Sequence, residues 1–164
     1  MSNQDYIRNK AIIYERYKDD YERLTTEQID TFREEVARAF HGNTVPFVDV
    51  RYVKGQPYEN CDQLSKDIRG NGLMLISSDN NESTLLPGEL NLQFRAVHDY
   101  IHYILQAPFD AAGEIRVYNL QKEFHKSQVS KQILFSEVVL QACYAEYFKR
   151  FAPVQKVVLY NGKI

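Results

Sequence analysis

Four side chains of metal-ligating type lie close together in the sequence: His98, Asp99, His102 and Glu114. They read H-D-x-x-H, then eleven residues, then E. Imidazole nitrogens and carboxylate oxygens are the ligands that proteins offer to zinc and similar divalent ions. At about 100° per residue, the first three fall on one side of a helix within two turns. The spacing therefore predicts a divalent-metal site, for Zn²⁺ or another ion such as Mn²⁺ or Fe²⁺.

Glu114 has to come from a second element. In the stretch between the two, Pro108 and Gly113 are expected to end the first helix and let the chain fold back. A second helix starting near Glu114 would then bring its first turn to the site. Asp99 stands where H-E-x-x-H zinc peptidases have the glutamate that acts as general base. We therefore rank a peptidase low and assign Asp99 to the metal.

A hydrogen-bonded polar cluster is the alternative to a metal. Paired histidines at this spacing often only pack or face solvent. The helix that carries them is apolar along most of its length, with Leu92, Phe94, Val97, Tyr100, Ile101 and Leu105. Burying His98, Asp99 and His102 there without partners would cost free energy. A bound metal offsets that cost, and so does a polar cluster.

Three more polar residues are candidates for roles around the site. Glu137 interrupts an apolar helix face, and Gln141 follows one turn later on the same side. We interpret Glu137 as a catalytic base or as a carboxylate that reaches the metal or orients a ligand histidine, with Gln141 beside it. The alternative is a solvated or hydrogen-bonded pair. Arg95, three residues before His98, can hold a carboxylate bidentately, with a surface salt bridge as its alternative.

The hydrophobic pattern predicts a mainly α fold: a single-domain helical bundle over residues 1–164, with two or three short strands that can pair. A capping box of Thr25 and Gln28 should open the second helix, which stops at Gly42. Pro46 confines the first strand to an edge or a loop entry. The expected helices are 3–21, 26–41, 60–68, 88–106, 114–124 and 127–151. The expected strands are 45–53 and 73–76, and 157–160 is expected to be a final extended segment that can supply the third.

Composition and charge exclude several classes of function. The 164 residues carry a net charge of -2 with both signs interspersed, which argues against a nucleic-acid partner. No apolar run approaches the roughly 20 residues of a membrane span, and the polar N-terminus lacks a signal-peptide core. We therefore expect a cytoplasmic protein. Cys61 and Cys143 are read as reduced thiols, with Cys143 in the core. His125 is expected to be exposed, and neither it nor His41 is a strong ligand candidate.

The chain resembles a group of bacteriophage-encoded proteins. The likeness covers more than half of the chain and is most specific in the Q-F-R-A-V-H-D core at 93–99. The matching residues are 67–69, Leu73, 91–99, 113–114, 136–137, Gln141 and 155–156. In that group a glycine usually precedes the second histidine, where this chain has Ile101. The resemblance implies a phage origin, hence the cytoplasm of the infected host cell or association with the virion. It implies no particular activity.

The metal motif is also similar to that of the ubiquinone-biosynthesis family that removes and replaces the C1 carboxyl of the quinone head group. That family's signature is H-D-x-x-H-x11-E, usually with glycine before the glutamate, as Gly113 stands here before Glu114. The family is helical and its motif is described as binding zinc. The resemblance covers only this motif, so it implies a metal site in a helical setting and does not carry over the quinone chemistry.

These observations favour a metal-dependent enzyme, hydrolytic or lyase-type, acting on a small-molecule substrate. The alternative is a noncatalytic phage protein, virion-associated or an inhibitor of a host protein, whose metal or polar cluster is structural. An open coordination position beside a pocket would favour the enzyme, and closure by four protein ligands would favour the structural role.

Overall fold

In the computed structural model, which describes residues 2–44, 48–81 and 83–160, helices make up most of the chain. The predicted mainly α fold with few short strands is confirmed. The chain divides into two compact units. The first comprises the residues up to Phe32 and again from Asp110, and the second is Arg33–Phe109. The assignment of 1–164 to a single metal-site domain stays a prediction.

Seven α-helices and two strands lie within the described residues. The helices are α1 (Asn3–Arg16), α2 (Thr26–Ala39), α3 (Cys61–Asn71), α4 (Glu89–Leu105), α5 (Ala111–Gln121), α6 (Gln128–Phe135) and α7 (Gln141–Phe148). The strands are β1 (Asp49–Val53) and β2 (Leu73–Ser77). Short 3₁₀ turns cover Tyr21–Arg23 and Lys122–Phe124, and π-helical segments cover Phe40–Thr44 and Ser136–Leu140.

Side-chain caps fix where the first two helices begin. The Ser2 hydroxyl accepts from the Asp5 amide at 3.2 Å, and the Asp5 carboxylate accepts from the Ser2 amide at 3.3 Å. The predicted box at α2 is confirmed, because Thr25 Oγ1 accepts from the Gln28 amide at 3.1 Å and Gln28 Oε1 accepts from the Thr25 amide at 2.9 Å. Each reciprocal pair satisfies two amides that a helix start leaves open. The predicted extent of α1, 3–21, was too long, since the helix ends at Arg16.

The first unit packs α1 against α7 and the π-helical segment that precedes it. The long helix predicted over 127–151 is interrupted by that segment and ends at Phe148, because the next residue, Lys149, adopts the left-handed region at φ 55°. The final extended segment predicted at 157–160 forms no strand, so the lower of the two strand numbers predicted holds for the described residues. Val157 and Val158 are buried, and their amides donate to Asp19 Oδ1 at 3.0 Å and to Ser136 Oγ at 2.9 Å.

The second unit contains the small sheet. β1 and β2 are parallel, in register from Asp49 opposite Leu73 to Val53 opposite Ser77. The start predicted for the first strand, with Pro46, lies outside the described residues. α3 forms the crossover between the strands, as parallel pairing requires. Gly72 ends that helix in the left-handed region at φ 62°. The core consists of Tyr58, Leu64, Ile68, Met74, Ile76 and Ala96.

Candidate metal centre

Both candidate histidines lie on α4, which buries one face in the second unit. Val97 and Ile101 are buried on this face, and His102 is 1% exposed. The helix ends where Gln106 adopts the left-handed region at φ 47°. The chain then reverses direction, and the Ala107 amide donates to the carbonyl oxygen of His102 at 3.0 Å. The histidine in the last turn is thereby fixed by its own helix end.

The two imidazoles face each other across one turn of α4. The Nε2 atoms of His98 and His102 are 3.2 Å apart, and the rings meet at 74°. His102 Nδ1 lies 3.0 Å from the carbonyl oxygen of Ala107. Because a carbonyl oxygen only accepts, Nδ1 carries the proton in the neutral ring and Nε2 carries a lone pair. Metal-ligating histidines commonly have this arrangement, with the second nitrogen held by a carbonyl or carboxylate.

The separation of the two nitrogens fits a metal ion. Two nitrogens that are each about 2.0–2.1 Å from a tetrahedral Zn²⁺ lie roughly 3.3 Å from each other. The observed 3.2 Å is close to that value. It is also within the range of an N–H···N hydrogen bond in which His98 donates to His102. The histidine pair thus fits both interpretations made from the sequence.

Aromatic side chains of the second unit surround the pair. The ring of Phe94 is stacked parallel to His98 with centroids 6.2 Å apart, and the ring of Phe109 meets His102 at 87° and 5.0 Å. On the other side of α4, the Cys61 thiol donates to the carbonyl oxygen of His102 at 3.4 Å. Apolar neighbours of this kind influence the dielectric around a bound metal.

Glu114 lies in the first turn of α5, in the first unit. Asp110 caps this helix by accepting from the Gly113 amide at 2.8 Å, and the Glu114 amide donates to the Asp110 carbonyl at 2.9 Å. The helix therefore begins at Ala111, and Gly113 lies inside it rather than in the break. The Glu114 side chain is half-buried. Its negative charge contributes to the raised pKa of Cys143, for which burial is the larger cause.

Among the described residues, one group of side chains is able to hold a metal ion: His98, His102 and Glu114. These are three of the four ligands proposed from the spacing. Asp99 is outside this group. Burial raises the pKa values of Tyr58 and Cys61, and the negative charge of Asp99 adds to both shifts. The pKa of Tyr58 is raised to about 12. Its role as a ligand stays a prediction.

Arg95 holds the loop that follows β2. Its guanidinium donates to the carbonyl oxygens of Ser77 and Asp79, both at 2.8 Å, and to that of Asn80 at 3.0 Å. Burial lowers the Arg95 pKa, and the charges of Asp99 and Asp79 oppose that shift. The sequence suggested a carboxylate as the partner of Arg95. The side chain instead binds backbone carbonyl oxygens, which no sequence pattern marks as acceptors.

Glu137 and Gln141 form a hydrogen-bonded pair, the alternative that the sequence left open. Gln141 Nε2 donates to Glu137 Oε2 at 3.1 Å, across the π-helical segment. Desolvation raises the pKa of Glu137 to about 7; the Gln141 hydrogen bond opposes the shift, and the charge of Asp19 adds to it. Burial raises the pKa of Tyr14, and the charge of Glu137 adds to that shift. The catalytic role of Glu137 stays a prediction.

The remaining histidines and cysteines lie apart from this group. The prediction that His125 is exposed was wrong: it is 2% exposed and its ring is stacked on Phe32, with centroids 5.2 Å apart. Cys61 and Cys143 are free and buried, as expected. In the described part of the chain, no helix is both long enough and apolar enough to cross a bilayer.

Comparison with known proteins adds no homologue. The chain matches no protein-family model, no curated protein and no solved structure at a significant level of similarity.

Proposed function

We propose that this chain is a divalent-metal-binding protein in which His98, His102 and Glu114 hold the ion, with Asp99 as a further ligand. The observation that carries the proposal is the orientation of His102: the Ala107 carbonyl accepts from Nδ1 at 3.0 Å, and Nε2 faces His98 Nε2 at 3.2 Å. Two imidazole nitrogens with carboxylate oxygens suit Zn²⁺, and also Mn²⁺ or Fe²⁺.

The proposed class is a metal-dependent hydrolase or lyase with a small-molecule substrate. A bound divalent ion supplies polarisation of a carbonyl or phosphoryl oxygen, or a bound water of lowered pKa. Glu137 is the proposed acid–base residue, because a carboxyl with a pKa of about 7 exchanges its proton near neutral pH. It lies in a π-helical segment, a feature that is frequent at functional sites. Gln141 positions its carboxylate.

We further propose that the protein is phage-encoded and works in the infected host cell or with the virion. The resemblance of the Gln93–Asp99 core to bacteriophage proteins supports this origin.

A noncatalytic phage protein is the second candidate, with a host or virion protein as its partner. One observation favours it. The 3.2 Å between the ring nitrogens also suits a direct hydrogen bond, so the histidines can form a closed polar cluster within α4. A structural metal held by four protein ligands would also make the site noncatalytic, since no coordination position would be left for a substrate.

Elemental analysis of protein purified without an affinity tag tests metal binding. We expect about one equivalent of a divalent metal in the wild-type chain and its loss in His98→Ala/His102→Ala. His41→Ala is the matched control, because His41 is exposed and lies outside the group. Full occupancy in the double variant would reject the assignment, and metal-free wild-type protein would favour the polar cluster.

Cobalt substitution separates the enzyme from the structural site. The visible spectrum of bound Co²⁺ reports its coordination, so azide should shift the spectrum if one position is open. A spectrum that azide leaves unchanged would indicate closure by protein ligands and would favour the noncatalytic candidate.

A further inference from the structure

The outer edge of β1 is the open edge of the small sheet in the second unit. The Asp49 amide donates to the residue before β2, and the Val53 carbonyl oxygen accepts from the residue after β2, both at 2.7 Å. Alternate residues of a strand bond to the same neighbouring strand, so the N–H and C=O groups of Val50 and Tyr52 point away from β2. Within the ranges that the structure describes, no residue pairs with these groups.

The outer edge of β2, in contrast, is closed by side chains. The Leu75 amide donates to the Tyr58 hydroxyl at 3.0 Å, and the Ser77 carbonyl oxygen accepts from the Arg95 guanidinium at 2.8 Å. β1 packs on β2, and on its open side Tyr52 is 42% exposed. Unpaired backbone groups in a row are a template for another strand. A further strand therefore fits at β1 rather than at β2.

The charges of β1 indicate which strand suits this edge. Asp49 and Arg51 lie on the same face of the strand and bind each other, with Arg51 Nε and Nη2 donating to Asp49 Oδ2 at 2.9 and 2.6 Å. Both side chains are more than half exposed, so this ion pair contributes little stability and is easily exchanged for another. A row of like charges, such as the lysines that protect many edges, repels its own copy. β1 instead carries one charge of each sign and is complementary to itself.

We propose that a second copy of this chain adds its own β1 to this edge, antiparallel and about a two-fold axis that passes beside Val50. In this register the two Val50 residues exchange their outer hydrogen bonds, and Tyr52 pairs with Val48 of the second copy. Asp49 then lies opposite Arg51 of the second copy, with the Cα atoms about 4.5 Å apart, because pairs without hydrogen bonds are the close ones. An aromatic ring opposite a β-branched residue and two charges of opposite sign are pairs that stabilise a sheet.

The charges also select this register over its neighbours. Sliding one strand to the next register with the same pleat places either Arg51 opposite Arg51 or Asp49 opposite Asp49, and like charges directly opposite each other are destabilising. The two-fold axis closes the assembly, because both open edges are used in one contact. β1 is five residues long, so the strand pair buries less surface than the roughly 1,200–2,000 Å² of a standard interface. We therefore expect a dimer that dissociates on dilution.

Sedimentation equilibrium of the full chain tests the dimer. The mass of the wild-type chain should rise from 19.2 kDa toward twice that value as the concentration is raised through the micromolar range. Arg51→Asp and Asp49→Arg each place like charges opposite each other at both ends of the strand pair, so each should weaken self-association by about tenfold or more. Lys54→Asp is the matched control, because it makes the same change of charge as Arg51→Asp at an exposed position directly after β1. It should leave self-association near that of the wild type.

Mixing the two single variants tests the register. Asp49→Arg presents only positive charges along this face and Arg51→Asp only negative ones, so each opposite pair in a mixed dimer is attractive. An equimolar mixture should therefore form a heterodimer at concentrations where each variant alone is monomeric. A mixture that stays monomeric overturns the proposal, and so does equal dimerisation of the wild type and both single variants.

Amide hydrogen exchange of the wild-type chain gives a second measurement that needs no variant. The amides of Val50 and Tyr52 should exchange more slowly at high concentration than at low, while that of Arg51, which already pairs with β2, should change less. Unchanged exchange of the two outer amides in the dimer would place the contact elsewhere and overturn the proposal. A wild-type chain that stays monomeric at every concentration would overturn it as well, and would leave this edge to a strand of another protein.

Discussion

The Nε2 atom of His102 lies 3.2 Å from that of His98, while its Nδ1 lies 3.0 Å from the Ala107 carbonyl oxygen. Two lone pairs at this separation repel each other, so a proton or a metal ion must lie between the two rings. His102 has already committed its own proton to Ala107. The two proposed functions therefore give different answers to what His98 Nε2 carries. In the metal site it carries a lone pair that ligates the ion, and in the polar cluster it carries a proton.

Nitrogen NMR of the imidazoles should distinguish these answers. In the metal-bound protein we expect a proton on Nδ1 of His102 and none on Nε2 of either ring, since both would ligate the ion. After chelation, His98 Nε2 should acquire the proton that it shares with His102. His41, an exposed histidine, serves as the internal reference. A protonated His98 Nε2 in protein shown to contain one equivalent of metal would remove His98 from the ligand set.

Metal removal should lower the melting temperature. An ion that binds only the folded chain stabilises it by about 4 kcal/mol when its free concentration is 1,000 times Kd. A chelator should therefore shift the thermal transition downward, and Glu114→Gln should reproduce part of the shift. Glu123→Gln is the control, because this exposed carboxylate is outside the metal-binding group. An unchanged transition after verified metal removal would show that the ion does not stabilise the fold.

The sequence predicted the elements better than the details of the site. The helical period located α4, and the box at Thr25 and Gln28 located the start of α2 correctly. The Ala107 carbonyl that orients His102 could not be predicted, because the left-handed turn at Gln106 uses a residue type that seldom adopts it. The π-helical segment at Ser136–Leu140 also left no signal, since it changes the hydrogen-bond register without changing the apolar pattern.

Arg95 should contribute to stability through the loop it holds. Arg95→Met removes hydrogen bonds to the carbonyl oxygens of Ser77, Asp79 and Asn80. Because the donor is charged and partly buried, we expect a loss of about 1–3 kcal/mol in the free energy of unfolding. Arg95→Lys should recover only part of it, since an ammonium lacks the planar fork that reaches three acceptors. Urea denaturation measures both, and equal stability of Arg95→Lys and the wild type would contradict this explanation.

The capping box at the start of α2 should contribute measurably to the free energy of unfolding. Thr25→Ala removes the hydroxyl that accepts from the Gln28 amide, and we expect a loss of about 1 kcal/mol in the free energy of unfolding. Thr25→Ser keeps the acceptor and should stay near the wild type. Thr26→Ala is a neighbouring control, because Thr26 is also exposed but is the first residue inside the helix. Equal losses at both threonines would indicate an effect other than capping.

Glu137 should make the stability of the fold depend on pH. Its pKa is about 7 in the folded chain and 4.5 in its ordinary state, so the folded chain binds the proton more strongly. The resulting stabilisation is complete below about pH 4.5 and is lost as the pH rises through about 7. At higher pH the half-buried carboxylate is charged, and Asp19 repels it. The total change is on the order of 3 kcal/mol.

Glu137→Gln should abolish this dependence. The neutral amide keeps the shape of the side chain and an oxygen that can accept from Gln141, so the variant should match the wild type near pH 4.5 and be more stable than it above about pH 8. Asp19→Asn should lower the Glu137 pKa, because it removes the repelling charge, while its amide oxygen can still accept from Val157. Urea denaturation across this pH range measures the difference. If the stability curves of Glu137→Gln and the wild type stay parallel, Glu137 is charged in the folded chain at neutral pH and cannot serve there as a general acid.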